Sequence, residues 1–197
     1  MQRFVVPIMG AILVFVFLAF GACEARVQTN GIEICSVIIN EMTEGKVPLR
    51  QAKEIAMAIA RAGNKHFGRI TCGDMWLFMS IVYVESGFRN NLINYQNCRG
   101  MFQVHAPSWA SKFRIRYSEL LNLQTNADCG IQIFKYYMSL YRGVIPALSA
   151  YNSDHPYAAR GYARMVLAVR KRIKERYLQI YRLYHDAPVL VAQTRIQ

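Results

Sequence analysis

The stretch "CGDMWLFMSIVYVESGF" (72–88) is an almost continuous apolar run that ends at one carboxylate, Glu85. A helix that is apolar on all sides is predicted to lie at the centre of a domain. Gly87 predicts the helix end, so Glu85 belongs to the last turn, partly inside the core. Because burial disfavours a charged carboxylate, we expect a raised pKa and a role as general acid. The alternative is a terminal glutamate that reaches solvent or pairs with Arg89 or Arg99.

The rest of the chain is dominated by helical patterns. Asp74 is predicted as the N-cap of the central helix, Gly63 as the C-cap of the helix before it, and Thr125 or Asn126 as the start of a later one. Strand signals are scarce, so we predict a mainly α fold, a single domain of packed helices. The remaining helices are predicted at 31–45, 47–63, 125–143, 144–152 and 156–185.

The N-terminus has the pattern of an export signal. Arg3 precedes an apolar run from Phe4 to Phe20, and small residues come after it. Residues 1–25 are therefore predicted to be a signal peptide or an uncleaved membrane anchor, with lipidation at Cys23 as a further alternative. We expect the protein to be exported to the periplasm, with possible membrane attachment through this segment. The predicted domain covers 26–180, and 181–197 form a C-terminal tail.

The net charge of +12 favours a polyanionic partner, such as a cell-wall polymer or anionic lipid head groups. A solvated basic surface is the alternative for most of these charges. No RRM, KH or zinc-finger pattern occurs, so we expect no nucleic-acid partner. We also predict no metal site and no cofactor, because HExxH, CxxC and glycine-rich phosphate-loop patterns are missing from the sequence.

Four cysteines remain beyond the N-terminal segment: Cys35, Cys72, Cys98 and Cys129. In an exported chain four cysteines predict two disulfides, with three possible pairings. Buried free thiols are the alternative.

Four short motifs occur in order along the chain. Glu85-Ser86-Gly87-Phe88 is followed, fifteen residues after the glutamate, by Gly100-Met101-Phe102-Gln103. Asn126 and Gly130 then lie in "NADCG", and Ala150-Tyr151-Asn152 comes last. This order and the first spacing resemble the lytic transglycosylase SLT domain, of lysozyme-like fold with a substrate cleft. The resemblance covers about residues 70–175.

The resemblance implies that Glu85 is the single catalytic acid. Members of the family protonate the β-1,4 glycosidic oxygen between N-acetylmuramic acid and N-acetylglucosamine in the glycan strands of peptidoglycan. The muramic 6-hydroxyl then attacks its own C1 and gives a 1,6-anhydro end, so no second carboxylate is needed. Small members often serve secretion, conjugation or pilus systems. The residues that the resemblance assigns to substrate binding are Ser86, Phe102, Gln103, Tyr151, Asn152 and Tyr162, the last of which helps to orient the glutamate.

Two further assignments accompany the resemblance. Cys98 and Cys129 adjoin motifs that meet at the cleft in this fold, which suggests a Cys98–Cys129 disulfide and leaves Cys35–Cys72. Trp109 comes after the Gln103 segment and is a candidate for stacking on a sugar. Three tyrosines at helical spacing favour core packing instead: Tyr136, Tyr137 and Tyr141.

Two rival functions stay open. Asp154 lies just after the last motif and is the credible second carboxylate, which would make the protein a muramidase of goose-type lysozyme character that hydrolyses the bond through an activated water. The other rival is a peptidoglycan-binding assembly protein with weak catalysis.

Overall fold

The fold is mainly α-helical, as the sequence predicts. The structure is a computed structural model that describes residues 31–193, with side chains up to residue 184, so the segment predicted as a signal peptide or anchor lies outside it. Helix α1 covers 31–42. The other helices are α2 (Leu49–Phe67), α3 (Cys72–Ser86), α4 (Ala106–Phe113), a 3₁₀ helix (Tyr117–Leu121), α5 (Leu123–Leu140), α6 (Val144–Ser153) and α7 (Arg160–Gln193).

Helix α3 is the centre of the domain because it is apolar on every side. Its side chains Phe78, Met79 and Ile81 are almost fully buried. The helix begins with a capping box whose N-cap is Thr71, one position before the helix, and not the predicted Asp74. Asp74 is the reciprocal partner, and its carboxylate accepts from the Thr71 N–H at 2.8 Å.

Helix α2 passes through Gly63, where the sequence predicts its end, and continues to Phe67. Gly63 is buried in the helix interior. A Cβ at this position would lie 2.7 Å from the Ile70 Cδ1 atom, so glycine serves close packing here. The residue that closes the helix is Gly68, whose positive φ of 78° suits glycine.

A small antiparallel ribbon comes after the loop that leaves α3. Strands β1 (Cys98–Arg99) and β2 (Val104–His105) pair in the register Cys98↔His105 and Arg99↔Val104. The segment between them forms the turn that carries the Gly-Met-Phe-Gln motif, and α4 begins directly after β2. The ribbon therefore presents this motif beside the end of α3.

Helix α7 packs along α3 and continues past residue 180, so most of the predicted tail is helical up to Gln193. Near its middle, Arg176 binds Glu41 of α1 through two hydrogen bonds of 2.8 and 2.6 Å. Between residues 31 and 193, no helix combines the length and the apolar character that crossing a membrane requires.

Candidate active site

Glu85 lies in the last turn of α3, and its carboxyl is half-buried. The helix ends at Gly87, which adopts a left-handed conformation at φ 58° and donates its N–H to the Tyr83 carbonyl. Tyr162 of α7 donates its hydroxyl to Glu85 Oε1 at 2.6 Å. The end of the central helix and the first turns of α7 thus bring the acid and its tyrosine together.

The protonation of Glu85 is set mainly by burial. Desolvation raises the pKa of this carboxyl to about 7, and the hydrogen bond from Tyr162 acts in the opposite direction because it favours the charged form. Burial and the neighbouring Glu85 hold the pKa of Tyr162 well above its usual value, so this phenol stays a donor. Glu85 can therefore hold a proton near neutral pH and release it, which is what a general acid needs.

Tyr151 of α6 reaches the turn that Ser86 joins to the end of α3. Its hydroxyl donates to the Phe102 carbonyl at 2.9 Å. Burial raises the pKa of Tyr151 well above its ordinary value, and the negative charge of Glu85 raises it further. The adjacent Asn152 is exposed. The structure therefore brings Tyr151 and Tyr162 to Glu85, as the resemblance implies.

Gln103 closes the turn between the two strands in a left-handed conformation, with φ 45°. A non-glycine residue at positive φ is strained, and such strain concentrates at functional sites. The Gln103 side-chain amide donates to the Gly100 carbonyl at 2.8 Å and to the Leu92 carbonyl at 3.3 Å. With the amide nitrogen held in this way, the half-buried side chain keeps its Oε1 atom available as an acceptor.

Two residues predicted to bind substrate lie beneath the site instead. Ser86 is 2% exposed, and its hydroxyl bonds the Met101 carbonyl at 2.8 Å and the Val82 carbonyl at 3.1 Å. Phe102 is fully buried. Neither side chain offers a surface to a glycan in this structure. Ser86 joins the end of α3 to the Gly-Met-Phe-Gln turn, and Phe102 packs under that turn.

Asn126 holds the same turn, a role that the sequence pattern does not reveal. Its side-chain oxygen accepts from the Phe102 N–H at 2.8 Å, and its nitrogen donates to the carbonyls of Arg99 and Leu120, each at 2.8 Å. The glycine of the turn leaves room for it, because a Cβ on Gly100 would lie 2.2 Å from the Asn126 Nδ2 atom.

Gly130 gives the Phe102 ring its space. A Cβ on this glycine would lie 2.3 Å from Phe102 Cγ, too close for any side chain. The pair in "NADCG" thus fastens the turn to α5, Asn126 by hydrogen bonds and Gly130 by close approach. The order of the motifs in the sequence singles out Asn126 and Gly130, but it does not show which residues they contact.

Asp154, the candidate second carboxylate, is engaged elsewhere. It lies just after α6 in a left-handed conformation at φ 57°, and Tyr137 of α5 donates its hydroxyl to the Asp154 carboxylate. The structure therefore shows a partner for the Asp154 carboxylate other than Glu85.

The four cysteines are free thiols in the structure, so the two predicted disulfides, Cys98–Cys129 and Cys35–Cys72, are absent from it. Burial raises the pKa of the Cys35 and Cys129 thiols to about 12, so both remain protonated and pack as small apolar side chains. Cys72 lies near Cys35, and its sulfur is 3.9 Å from the Tyr177 hydroxyl. Cys98 is half-buried, and burial is the main cause of the raised pKa of its thiol, with a smaller contribution from Glu85.

In the part of the chain that the structure describes, no group of three or more His, Cys, Asp or Glu side chains could hold a metal ion. The chemistry that the site offers is the donation and recovery of a proton at Glu85, which accepts a hydrogen bond from Tyr162 and acts electrostatically on Tyr151.

The structure is a mainly helical domain whose central helix ends at one protonatable glutamate, which is consistent with a lysozyme-like SLT domain. Residues 73–163 match the family model described as Transglycosylase SLT domain, and this match supports the resemblance that the four motifs indicate. The four motifs lie inside the matched segment. No curated protein and no solved structure matched the chain.

Proposed function

We propose that the protein is a peptidoglycan lytic transglycosylase and that Glu85 is its acid–base residue. The observation that carries the proposal is the state of this carboxyl. Burial raises its pKa to about 7, and the Tyr162 hydroxyl donates a hydrogen bond to it. The SLT family cleaves peptidoglycan by transglycosylation, and the matched segment includes this residue.

The reaction needs two proton transfers at Glu85, one out and one in. Protonated Glu85 donates to the glycosidic oxygen as the bond from that oxygen to the muramic C1 breaks. The muramic 6-hydroxyl attacks C1, and the Glu85 carboxylate accepts the proton that this hydroxyl loses. The two products are a free 4-hydroxyl and a 1,6-anhydro ring, and no water is consumed. The hydroxyl of Tyr162 stabilises the carboxylate between these two steps.

Hydrolysis of the goose-type lysozyme kind is the second candidate. It needs a second carboxylate to activate water. Asp154 is bound by the Tyr137 hydroxyl, and this contact supports the single-acid mechanism. A wall-binding protein with weak catalysis is a further candidate, but a half-buried glutamate with a pKa near 7 has no evident use in it.

The cellular setting is also part of the proposal. We propose that residues 1–25 direct the chain to the periplasm, as a cleaved signal or as an anchor, and that the enzyme opens the wall locally for a secretion, conjugation or pilus system. The export pattern of the N-terminus supports the first part. Fractionation of cells that express the chain tests it, and recovery in the cytoplasm would contradict it.

The decisive experiment is digestion of purified peptidoglycan with the full chain in mild detergent, and then mass spectrometry of the released muropeptides. We expect products lighter by one water, with anhydro ends, and none from Glu85→Gln. The matched control is Glu54→Gln, a change of the same chemistry on the exposed face of α2. Reducing ends in the products would favour the hydrolase, and release by Glu85→Gln would exclude Glu85 as the acid.

A further inference from the structure

A cluster of aromatic rings lies on α4 and α5 and is only partly buried. This aromatic patch consists of Trp109, Phe113, Tyr136, Tyr137 and Tyr141. Tyr137 is its buried anchor, as core packing predicts, but Tyr136 is 47% exposed and does not fit that prediction. The Trp109 and Tyr136 ring centroids lie 5.6 Å apart, and Tyr137 and Tyr141 stack at 6.3 Å.

Two further apolar side chains, close to the patch along the chain, are exposed. Leu140, one turn after Tyr136 on α5, is 52% exposed, and so is Ile145 at the start of α6. Contiguous exposed apolar surface of this kind marks a binding site more often than scattered apolar residues do. The rings are amphipathic, since tyrosine hydroxyls and the indole N–H can bond to polar groups while the faces stay apolar.

The patch is joined to the active site through α6. Tyr137 donates to Asp154 at the end of α6, the helix that carries Tyr151. The Tyr151 hydroxyl bonds the Phe102 carbonyl, in the turn that Ser86 joins to the end of α3. Hydrogen bonds therefore connect the patch, through α6, to the turn beside the acid.

A polysaccharide suits this surface. Sugar rings present apolar C–H faces that pack on aromatic rings, and their hydroxyls bond to the polar edges. Lys112 is exposed, and its Nζ lies 4.3 Å from the Trp109 ring centroid, so a positive charge stands at the edge of the patch. The carboxylates of peptidoglycan stem peptides match that charge.

We propose that the aromatic patch is an outlying subsite, which binds a saccharide unit of the peptidoglycan strand beyond the units in contact with Glu85. The subsite rests on the proposed function, because that function supplies the strand. Contacts far from the reacting bond favour long substrates over short ones, since binding energy from remote units helps to position the scissile bond.

The test compares Tyr136→Ala with Tyr184→Ala, an equally drastic change at a tyrosine that is 58% exposed near the far end of α7. In the full chain, Tyr136→Ala should lower kcat/KM on long glycan strands by roughly two- to tenfold. It should leave kcat/KM on the shortest cleavable oligosaccharide unchanged, and Tyr184→Ala should change neither. Equal losses on both substrates, or no loss, would overturn the subsite.

Binding without catalysis separates this proposal from the proposed function. The full chain carrying Glu85→Gln is sedimented with insoluble peptidoglycan, alone and together with Tyr136→Ala. Weaker sedimentation of the double variant supports the subsite even if the wild-type chain releases no anhydro products, in which case only the proposed reaction fails. Equal sedimentation would overturn the subsite and leave the patch to a protein partner. Thermal melting by circular dichroism confirms that each variant is folded.

Discussion

Two polar side chains of the motifs, the buried Asn126 and the half-buried Glu85, are treated differently by the same fold. The amide of Asn126 makes three hydrogen bonds and is fully buried, so its polar groups are nearly satisfied. The carboxyl of Glu85 receives one hydrogen bond, and its burial is reflected in a raised pKa. Satisfied polar groups hold a structure together, whereas an under-satisfied one is available for chemistry. The motifs of this chain contain both kinds.

Removing the satisfied group should have the largest effect on stability. Asn126→Ala leaves one N–H and two carbonyl groups without partners in the interior, so we expect a loss of about 4 kcal/mol in the free energy of unfolding. Urea unfolding measures it. The control is Asn91→Ala, at an exposed position, which should cost less than about 0.5 kcal/mol.

If Asn126→Ala does not fold, Asn126→Asp keeps the acceptor for the Phe102 N–H and loses both donors. It should therefore destabilise the domain too. A normal free energy of unfolding in both variants would contradict the structural role of Asn126.

Replacing the under-satisfied carboxyl, by Glu85→Gln, should instead raise the free energy of unfolding above neutral pH. Because the folded-state pKa of Glu85 is raised to about 7, the folded chain binds more protons than the unfolded chain between the two pKa values. The contribution of Glu85 to stability is therefore highest below the unfolded pKa and falls as pH rises to about 7. Glu85→Gln abolishes this dependence.

The measurement is urea unfolding of both proteins at about pH 4 and about pH 8. The stability of Glu85→Gln relative to wild type should increase by about 3 kcal/mol between these conditions. A difference that does not change with pH would show that Glu85 is not desolvated as the structure indicates.

Tyr162, which donates a hydrogen bond to Glu85, offers a test based on the rate of cleavage. Tyr162→Phe removes a hydrogen bond that lowers the pKa of Glu85, so this pKa should rise further. A general acid must be protonated, so the alkaline limb of the kcat profile should move to higher pH. The maximum rate should fall about tenfold because the carboxylate loses its donor. Tyr157→Phe, at an exposed tyrosine between α6 and α7, should leave the limb in place, and a limb unmoved by Tyr162→Phe would contradict the pairing.

The smallest effect is expected at Asp154. Its carboxylate is bound by Tyr137, and asparagine can accept the same hydrogen bond. Asp154→Asn should therefore leave the rate of anhydro-product formation within about threefold of wild type. Loss of activity on the scale of Glu85→Gln would show that a second acid takes part, and the single-acid mechanism would fail.

Features that depend on a single helix are predicted well from the sequence. The apolar run to Glu85 and the glycine after it correctly indicate α3 and the protonatable acid. Helix ends are less accurate, because caps compete: Asp74 is the partner of Thr71 in the capping box, and α5 begins at Leu123 with Asn122 as its N-cap. A glycine in the sequence does not show whether it caps a helix or allows close packing, and Gly63 does the second.

Contacts between distant segments are beyond the sequence pattern. The motif order does not show that Phe102 and Ser86 lie beneath the turn while Gln103 stays partly exposed. The identity of neighbouring residues in a turn does not determine the direction in which each side chain points. The Tyr137–Asp154 contact joins α5 to the residue after α6 and depends on how the helices cross. The pairing of the four cysteines stays a prediction, and the structure shows all four as free thiols.

Helix α7 also acts as a spacer. Tyr162, near its beginning, touches the acid, while a Cβ on Gly31 would lie 3.4 Å from the hydroxyl of Tyr177, fifteen residues further along. At 1.5 Å per residue this separation is about 22 Å. The acid and the first described residue of the chain are thus held about two nanometres apart along one helix.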